Sequence, residues 1–412
     1  MLGPLQATVR SFAGGLPRSF WWLWAGMLVN RLGGFVVPYL AIYLTERRGA
    51  TVAQAGAIAS LWGLGSIASG PVGGLLADRL GRRATLVGAL AVGGSGMIAL
   101  GFVERLAIIA PAAALLGFAS ESFRPAMQAA VADVVTEPAA RLRAYGLVYW
   151  AVNLGFGVAL VLAGVLASVS YTLLFVLDGA TTLAFAAIVL WRVPETRPEV
   201  EPGAPPSALR GLAVSFGDRV LMALLGLNFL FAALLWQSHA ALPVDMRAHG
   251  LSPATYGVLM ALNGITIVLV QPFASRLVAG RDPGRVLAAA GLLIGAGWGL
   301  NAVARSSLGY GAAILVWTMG EVVTSPTAAA VVAELAPPEL RGRYQGAYGM
   351  SWALAAFAGP GVGAFVLGRF GATALWLGCF GVGVALALGH LAAGPARRRR
   401  LAELGVRQRL TG

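Results

Sequence analysis

The chain has 412 residues, of which 58% are hydrophobic and 11% charged, with formal net charge +13 and mean hydropathy +0.76. Soluble domains carry roughly 25% charged residues, so this composition excludes an ordinary soluble enzyme, a disordered chain and a disulfide-stapled secreted domain. What remains is a polytopic membrane protein. Every one of the 30 basic residues is arginine. The single cysteine, Cys379, lies in an apolar stretch, which offers neither a disulfide framework nor a zinc pattern.

A helical span needs about 20 mostly apolar residues. The first such run starts at Phe20 and is too long for the core of a signal peptide. Taken in order, the predicted spans lie near 20–43, 53–77, 84–103, 107–134, 144–167 and 170–191, then 218–243, 254–279, 286–304, 309–334, 344–368 and 371–393. The runs are continuous rather than alternating, which excludes a membrane β-barrel. The predicted fold is therefore all-α, with twelve transmembrane helices.

Arginine placement predicts the orientation. Twenty-two arginines fall on the side of the two termini and the central linker, six on the other side, and two, Arg31 and Arg124, within spans. The rich side is expected to be cytoplasmic, in a multi-pass protein of a bacterial inner membrane with both termini inside. On this reading the basic excess is a topology signal and no nucleic acid is a partner.

The stretch 192–217 holds five prolines and the acids Glu195, Glu199 and Glu201, and reads as a linker. The expected divisions are 1–191 and 218–394 for two six-helix halves, 192–217 for the linker and 395–412 for a basic tail. Arg397–Arg400 in that tail reads as a topology anchor beside anionic lipid, with a regulatory lipid site as the alternative.

The halves align at an offset of 201 residues. Pro71 falls on Pro272, Pro125 on Pro326, Gly49 on Gly250, Gly56 on Gly257 and Asp133 on Glu334. Six spans per half is an even number, so both halves start on the same side and form a parallel repeat. Such repeats belong to transporters with a site between the halves near the midplane.

After the second span the chain reads Gly74-Leu-Leu-Ala-Asp78-Arg79-Leu-Gly81-Arg82-Arg83. This resembles the loop motif of the major facilitator superfamily at every fixed position, and it stands between spans 2 and 3 as in that family. Gly74 permits close approach of another helix. Asp78 can accept hydrogen bonds from a helix N-terminus. Arg82, four residues on, can bridge Asp78 to Asp133 at the end of span 4. The resemblance implies that the capped helix is span 11, near Arg343, and that the cluster latches the halves in an outward-open state. Arg79, Arg82 and Arg83 also read as simple positive-inside anchors. In the second half Ala279 stands where Asp78 would, so the latch is expected to be asymmetric.

A charge at the bilayer centre costs at least about 2.5–3.5 kcal/mol and needs a partner or a function. Five stand out: Arg31, Glu121, Arg124, Asp178 and Glu321. Glu121 and Arg124 share a helix face, and Gln128 extends it. The resemblance places spans 1, 4, 7 and 10 around a cavity, and Arg124 resembles the embedded arginine of proton-coupled members. Three carboxylates face two guanidiniums, so one carboxylate lacks a one-to-one partner. A desolvated carboxyl without a partner is a natural proton carrier, and Glu121 or Glu321 is the expected one. Asp178 reads equally as a structural pair with an arginine or a backbone group, and Arg31 as a fixed counter-ion.

Asn30, Asn153, Gln237 and Asn263 are candidates for the substrate cavity or for bonds between helices. Trp317 is a candidate for an aromatic wall or for packing. No P-loop and no Ser/His/Asp or metal constellation is evident, so neither an enzyme nor a cofactor is expected, and the proton gradient supplies the energy. The expected function is proton-coupled efflux of drug-like or lipophilic molecules by a monomer, resembling the family's multidrug antiporters. The Gly-Pro pair those antiporters carry in span 5 stands here in span 11, as Gly359-Pro360. The alternative is uptake of a small polar solute by symport or uniport.

Overall fold

A computed structural model describes residues 14–198 and 208–411. Residues 1–13, 199–207 and 412, which include Arg10 and the centre of the expected linker, lie outside the described residues. Among the described residues every regular element is helical. The first half comprises α1 (Arg18–Leu32), α2 (Val36–Arg48), α3 (Val52–Leu80), α4 (Arg82–Phe102), α5 (Leu106–Val134), α6 (Pro138–Val169) and α7 (Tyr171–Arg192). The linker region contributes α8 (Ala208–Gly217). The second half comprises α9 (Arg219–Trp236), α10 (Ala241–Ala248), α11 (Pro253–Val278), α12 (Pro283–Leu300), α13 (Ser307–Leu335), a 3-10 turn at Pro338–Leu340, and α14 (Arg341–Thr411).

Two expected spans are broken. Span 1 is α1 plus α2, parted at Gly33-Gly34, and span 7 is α9 plus α10, parted at 237–240. Spans 11 and 12 are the two arms of α14, which turns at Gly371, where φ is +85° and a side chain would be strained. This gives twelve membrane helices in two halves of six.

The 201-residue repeat is visible in the elements. α3 and α11 start 201 apart, as do α4 and α12, while α5 and α13 match at both ends. The caps repeat too. Thr51 accepts from the Gln54 N–H to start α3, and Ser252 accepts from the Thr255 N–H to start α11.

Packing divides the molecule by depth. Near the Arg-rich face one apolar core is shared by both halves, with Phe123, Tyr145 and Phe185 of the first against Leu221, Leu335 and Tyr344 of the second. Toward the opposite face the halves have separate cores. One contains Val36, Tyr43, Trp62 and Phe175, the other Phe231, Trp298, Tyr310 and Trp376. The halves meet where α3 packs on α14 and α6 packs on α11 and α13.

Glycines set the first of these contacts. A Cβ on Gly74 would stand 2.2 Å from the Gly342 carbonyl oxygen, and one on Gly346 would stand 2.1 Å from that of Gly70. Farther along α3, Gly63 and Gly56 meet nothing within 4 Å. The two helices touch backbone to backbone at the Arg-rich end and part toward the other face. The molecule is closed at one end and open at the other.

Candidate functional site

At the closed end the sequence motif becomes a network of charge. Asp78 ends α3 beside the N-terminus of α14. Its Oδ1 accepts from the Gly342 N–H at 2.8 Å and its Oδ2 from the Arg343 N–H at 3.0 Å. Helix N-termini carry unpaired N–H groups and partial positive charge, which suits a carboxylate. Arg82, only 1% exposed, donates from Nη1 to Asp78 at 2.9 Å and from Nε to Asp133 at 3.0 Å. Its Nη2 reaches the Pro338 carbonyl at 3.2 Å, across the boundary between halves. Asp133 also takes Nη1 of Arg341 at 2.6 Å. Glu334, at the matching position of the second half, lies near Arg141 of the first, an approximate counterpart of Asp133 and Arg341, while Ala279 leaves the Asp78 part of the network without one.

The remaining motif residues serve a second carboxylate, one that the sequence reading left in the linker. Glu195 accepts from the backbone N–H of Arg82 at 2.8 Å and of Arg83 at 3.2 Å, capping α4. Gly81, at φ +106°, makes room for it, since a Cβ there would stand 2.2 Å from Glu195 Oε2. Arg83 bonds the Leu190 carbonyl, and the Arg79 carbonyl accepts from Arg197. The available signal was an acid directly after Pro194, where α7 ends.

Farther in, four of the five embedded charges gather in the first half. Nε of Arg124 lies 2.5 Å from Oε2 of Glu121, with both side chains partly exposed. Arg31 interacts electrostatically with Arg124, Glu121 and Asp178, and its guanidinium lies 5.8 Å from the Phe123 ring centre. Asp178, expected either among the proton-coupling residues or in a structural pair, lies at the break in span 1. Its Oδ2 accepts from the Val36 N–H at 3.0 Å, capping α2 at the break in span 1. The break frees N–H groups inside the membrane, where an unsatisfied one is costly.

Glu321 stands apart on α13. It is 8% exposed and forms no ion pair among the described residues. Its Oε1 accepts from the Tyr149 hydroxyl at 2.5 Å, and its Oε2 from Asn263 Nδ2 at 3.0 Å. Asn263 also donates to Thr318 Oγ1 at 2.9 Å. Tyr149 belongs to α6 of the first half, so this contact crosses between halves. With Trp150 Nε1 on the Val268 carbonyl at 2.9 Å, it lies where the shared packing gives way to the opening. The sequence marks Tyr149 only weakly, as a hydroxyl one turn after that of Tyr145 and one turn before Asn153.

The other cavity candidates divide. Asn263 joins the Glu321 cluster, and Asn153 donates to the Tyr149 carbonyl beside it at 2.9 Å. Asn30 is buried on Thr182 Oγ1 at 2.9 Å, between α1 and α7. Gln237 is buried at the break of span 7 and donates to the Gly359 carbonyl at 2.8 Å. Both therefore bond helix to helix. Trp317 is 2% exposed and stacks on Trp298 with ring centres 5.3 Å apart, with Trp376 on the far side. It packs within the second half and forms no cavity wall. Among the described residues no cluster of His, Cys, Asp and Glu has the geometry to hold a metal.

Two halves of six helices, a parallel repeat and the Asp78–Arg82–Asp133 network at their junction define a membrane transporter with two packed halves. The model of the Major Facilitator Superfamily matches residues 23–360 and 229–408, and the chain belongs to that family. It is similar to the uncharacterized MFS-type transporter YttB of Bacillus subtilis, at 26% identity over 88% of this chain and 91% of that one. It is also similar to the multidrug resistance protein MdtH of Aeromonas hydrophila, at 25% identity over 82% of this chain and 85% of the other. In fold it resembles the human organic anion transporter MFSD10, with a TM-score of 0.78 at 20% identity, covering 91% of this chain and all of that one.

Proposed function

We propose that this chain is a proton-coupled exporter of drug-like or lipophilic small molecules, working by rocking alternating access with its Arg-rich face in the cytoplasm. The observation that carries the reading is Glu321. It is a buried carboxyl without a cationic partner, tied across the halves to Tyr149 at the bottom of the opening.

As a carboxylate, Glu321 accepts from two donors. Protonation removes acceptor capacity, so one of those bonds is weakened or lost. A proton arriving through the open side therefore loosens the contact that holds the halves together at depth. The halves rock, the Asp78 network parts, and the site faces the other side. Substrate entering from the cytoplasm promotes release of the proton and the return to the outward-open arrangement. Likeness to MdtH, named a multidrug resistance protein, supports export. The charged cluster of Arg31, Glu121 and Arg124 lies in the first half, and its half-exposed Arg124–Glu121 pair is a candidate for a polar or ionic part of the cargo.

A second reading is symport of a small polar solute. The polar surround of Glu321, with Asn263, Thr318 and Asn153, favours it. Transport by purified protein in proteoliposomes under an imposed pH gradient, with ethidium and a panel of sugars and amino acids, separates the two. Export predicts ethidium movement against the proton flow. Co-movement of a polar solute with protons would replace that reading with symport. Glu321→Gln should abolish pH-driven flux while ethidium binding persists, and full proton-driven flux in that variant would overturn the role of Glu321.

A further inference from the structure

On the Arg-rich face, where α12 begins and the second arm of α14 leaves the membrane, lies a cavity of about 200 Å³ lined by Asp282, Gly284, Arg285, His390, Leu391 and Arg398. At roughly 30 Å³ per water, it has room for a hydrated phosphate group. Its polar groups are only partly satisfied. His390 is 4% exposed, lines the cavity, and has no hydrogen-bond partner at Nδ1. Arg397 is 5% exposed. Its Nη2 donates to the His390 carbonyl at 2.5 Å and lies 3.2 Å from where a Gly284 Cβ would stand. Its Nη1 is buried with no hydrogen-bond partner among the described residues.

A buried guanidinium with an unpaired nitrogen is costly, and an anion would satisfy it. The nearby acid does not. Asp282 caps α12 through the Arg285 N–H at 3.0 Å and pairs with Arg398 at 3.0 Å. The Arg285 N–H, first, and then Arg398 hold its carboxyl below the usual carboxylate range, so its charge is already committed. Among the described residues Arg285 forms no ion pair, and Arg397, although Asp282 lies near enough to stabilise its charge, keeps Nη1 without a hydrogen bond. The mouth is apolar on one side, where Leu391 and Leu388, 51% and 63% exposed, continue along the lipid-facing surface of the last span. A ligand that matches both sides is a phosphate carrying an acyl chain.

We propose that this cavity binds a phosphate group presented by an anionic phospholipid. Bound there, the headgroup bridges the start of α12 and the end of the last span, two elements already packed together. The site is separate from the opening between the halves, so it does not depend on what the protein transports.

The test uses the full chain in detergent. It is titrated with phosphatidylglycerol, phosphatidylcholine or inorganic phosphate, and followed by native mass spectrometry and thermal unfolding. Each arginine beside an anionic headgroup is worth roughly fivefold in affinity. Wild type is expected to retain phosphatidylglycerol at least about tenfold better than phosphatidylcholine, with a matching rise in Tm. Arg285→Gln/Arg398→Gln, which alters exposed residues only, should lose most of that preference. Arg397→Gln should lose it too. Arg281→Gln removes one charge from the adjacent loop outside the cavity and should keep it. Equal retention of both lipids, or equal loss in Arg281→Gln, would overturn the site. Stabilisation by inorganic phosphate without phosphatidylglycerol retention would assign it to a soluble phosphate and overturn the lipid.

Discussion

On the proposed mechanism, the hydrogen bond from Tyr149 to Glu321 ties a protonation event to a contact between halves. A hydrogen bond to a charged group contributes about 1.5–3 kcal/mol, so Tyr149→Phe should change turnover by roughly tenfold or more. The direction follows from the geometry. Without the hydroxyl, ionised Glu321 no longer holds the halves, and flux becomes less steep in pH. A proteoliposome pH series would check this, and an unchanged profile would remove Tyr149 from the coupling. Counting charges in the sequence left one carboxylate without an arginine but could not say which. In the fold Glu121 pairs with Arg124, Asp178 lies within electrostatic reach of Arg31, and Glu321, in the other half, has only neutral donors. Trp317 shows the opposite limit. Hydropathy cannot tell a ring facing a cavity from one stacked on Trp298, since both need an apolar span.

Among the elements, the broken spans carry the most information beyond the sequence. Gly33-Gly34 and the polar run Gln237-Ser238-His239 mark both breaks in the sequence, although a hydropathy window about 20 residues wide runs through them. Asp178 gives the first break its cap. Asp178→Ala should cost about 1–2 kcal/mol of stability by loss of that cap. A fall of a few degrees in apparent Tm, with proton-driven flux still present, is the expected result. Complete loss of coupling in a stable Asp178→Ala protein would return this residue to the proton pathway. Where α3 meets α14 there is no room for a side chain at Gly74. Gly74→Leu should therefore force the closed end apart and favour the inward-facing form. Asp78→Asn keeps the shape but removes the charge that Arg82 and the α14 N-terminus share, and should slow turnover while leaving ligand binding intact. Normal turnover in Asp78→Asn would show that the network is not a latch. The helix starts were largely legible because the repeat fixes them. The cap by Glu195 was not, since it joins residues 113 apart in sequence through the fold alone.

At the scale of the whole molecule, the core is shared at one end and divided at the other, an arrangement consistent with the outward-open state of the proposed alternating-access cycle. The hydrogen bonds described between halves, from Asp78, Arg82, Asp133, Tyr145, Tyr149 and Trp150, all lie at or below the depth of Glu321. On the proposed mechanism, rocking breaks them and builds contacts at the open end. The single cysteine, Cys379, is buried, which makes spin labelling at chosen sites practicable. Arg47 and Arg247 are exposed near the open ends of the two halves. The most direct measurement is the distance between labels at Arg47→Cys and Arg247→Cys, by double electron–electron resonance at pH 5 and pH 8, with and without Glu321→Gln. The account predicts a longer distance at pH 8 than at pH 5, and the shorter distance at both pH values when Glu321 is replaced. A pH-dependent distance that survives Glu321→Gln would contradict it.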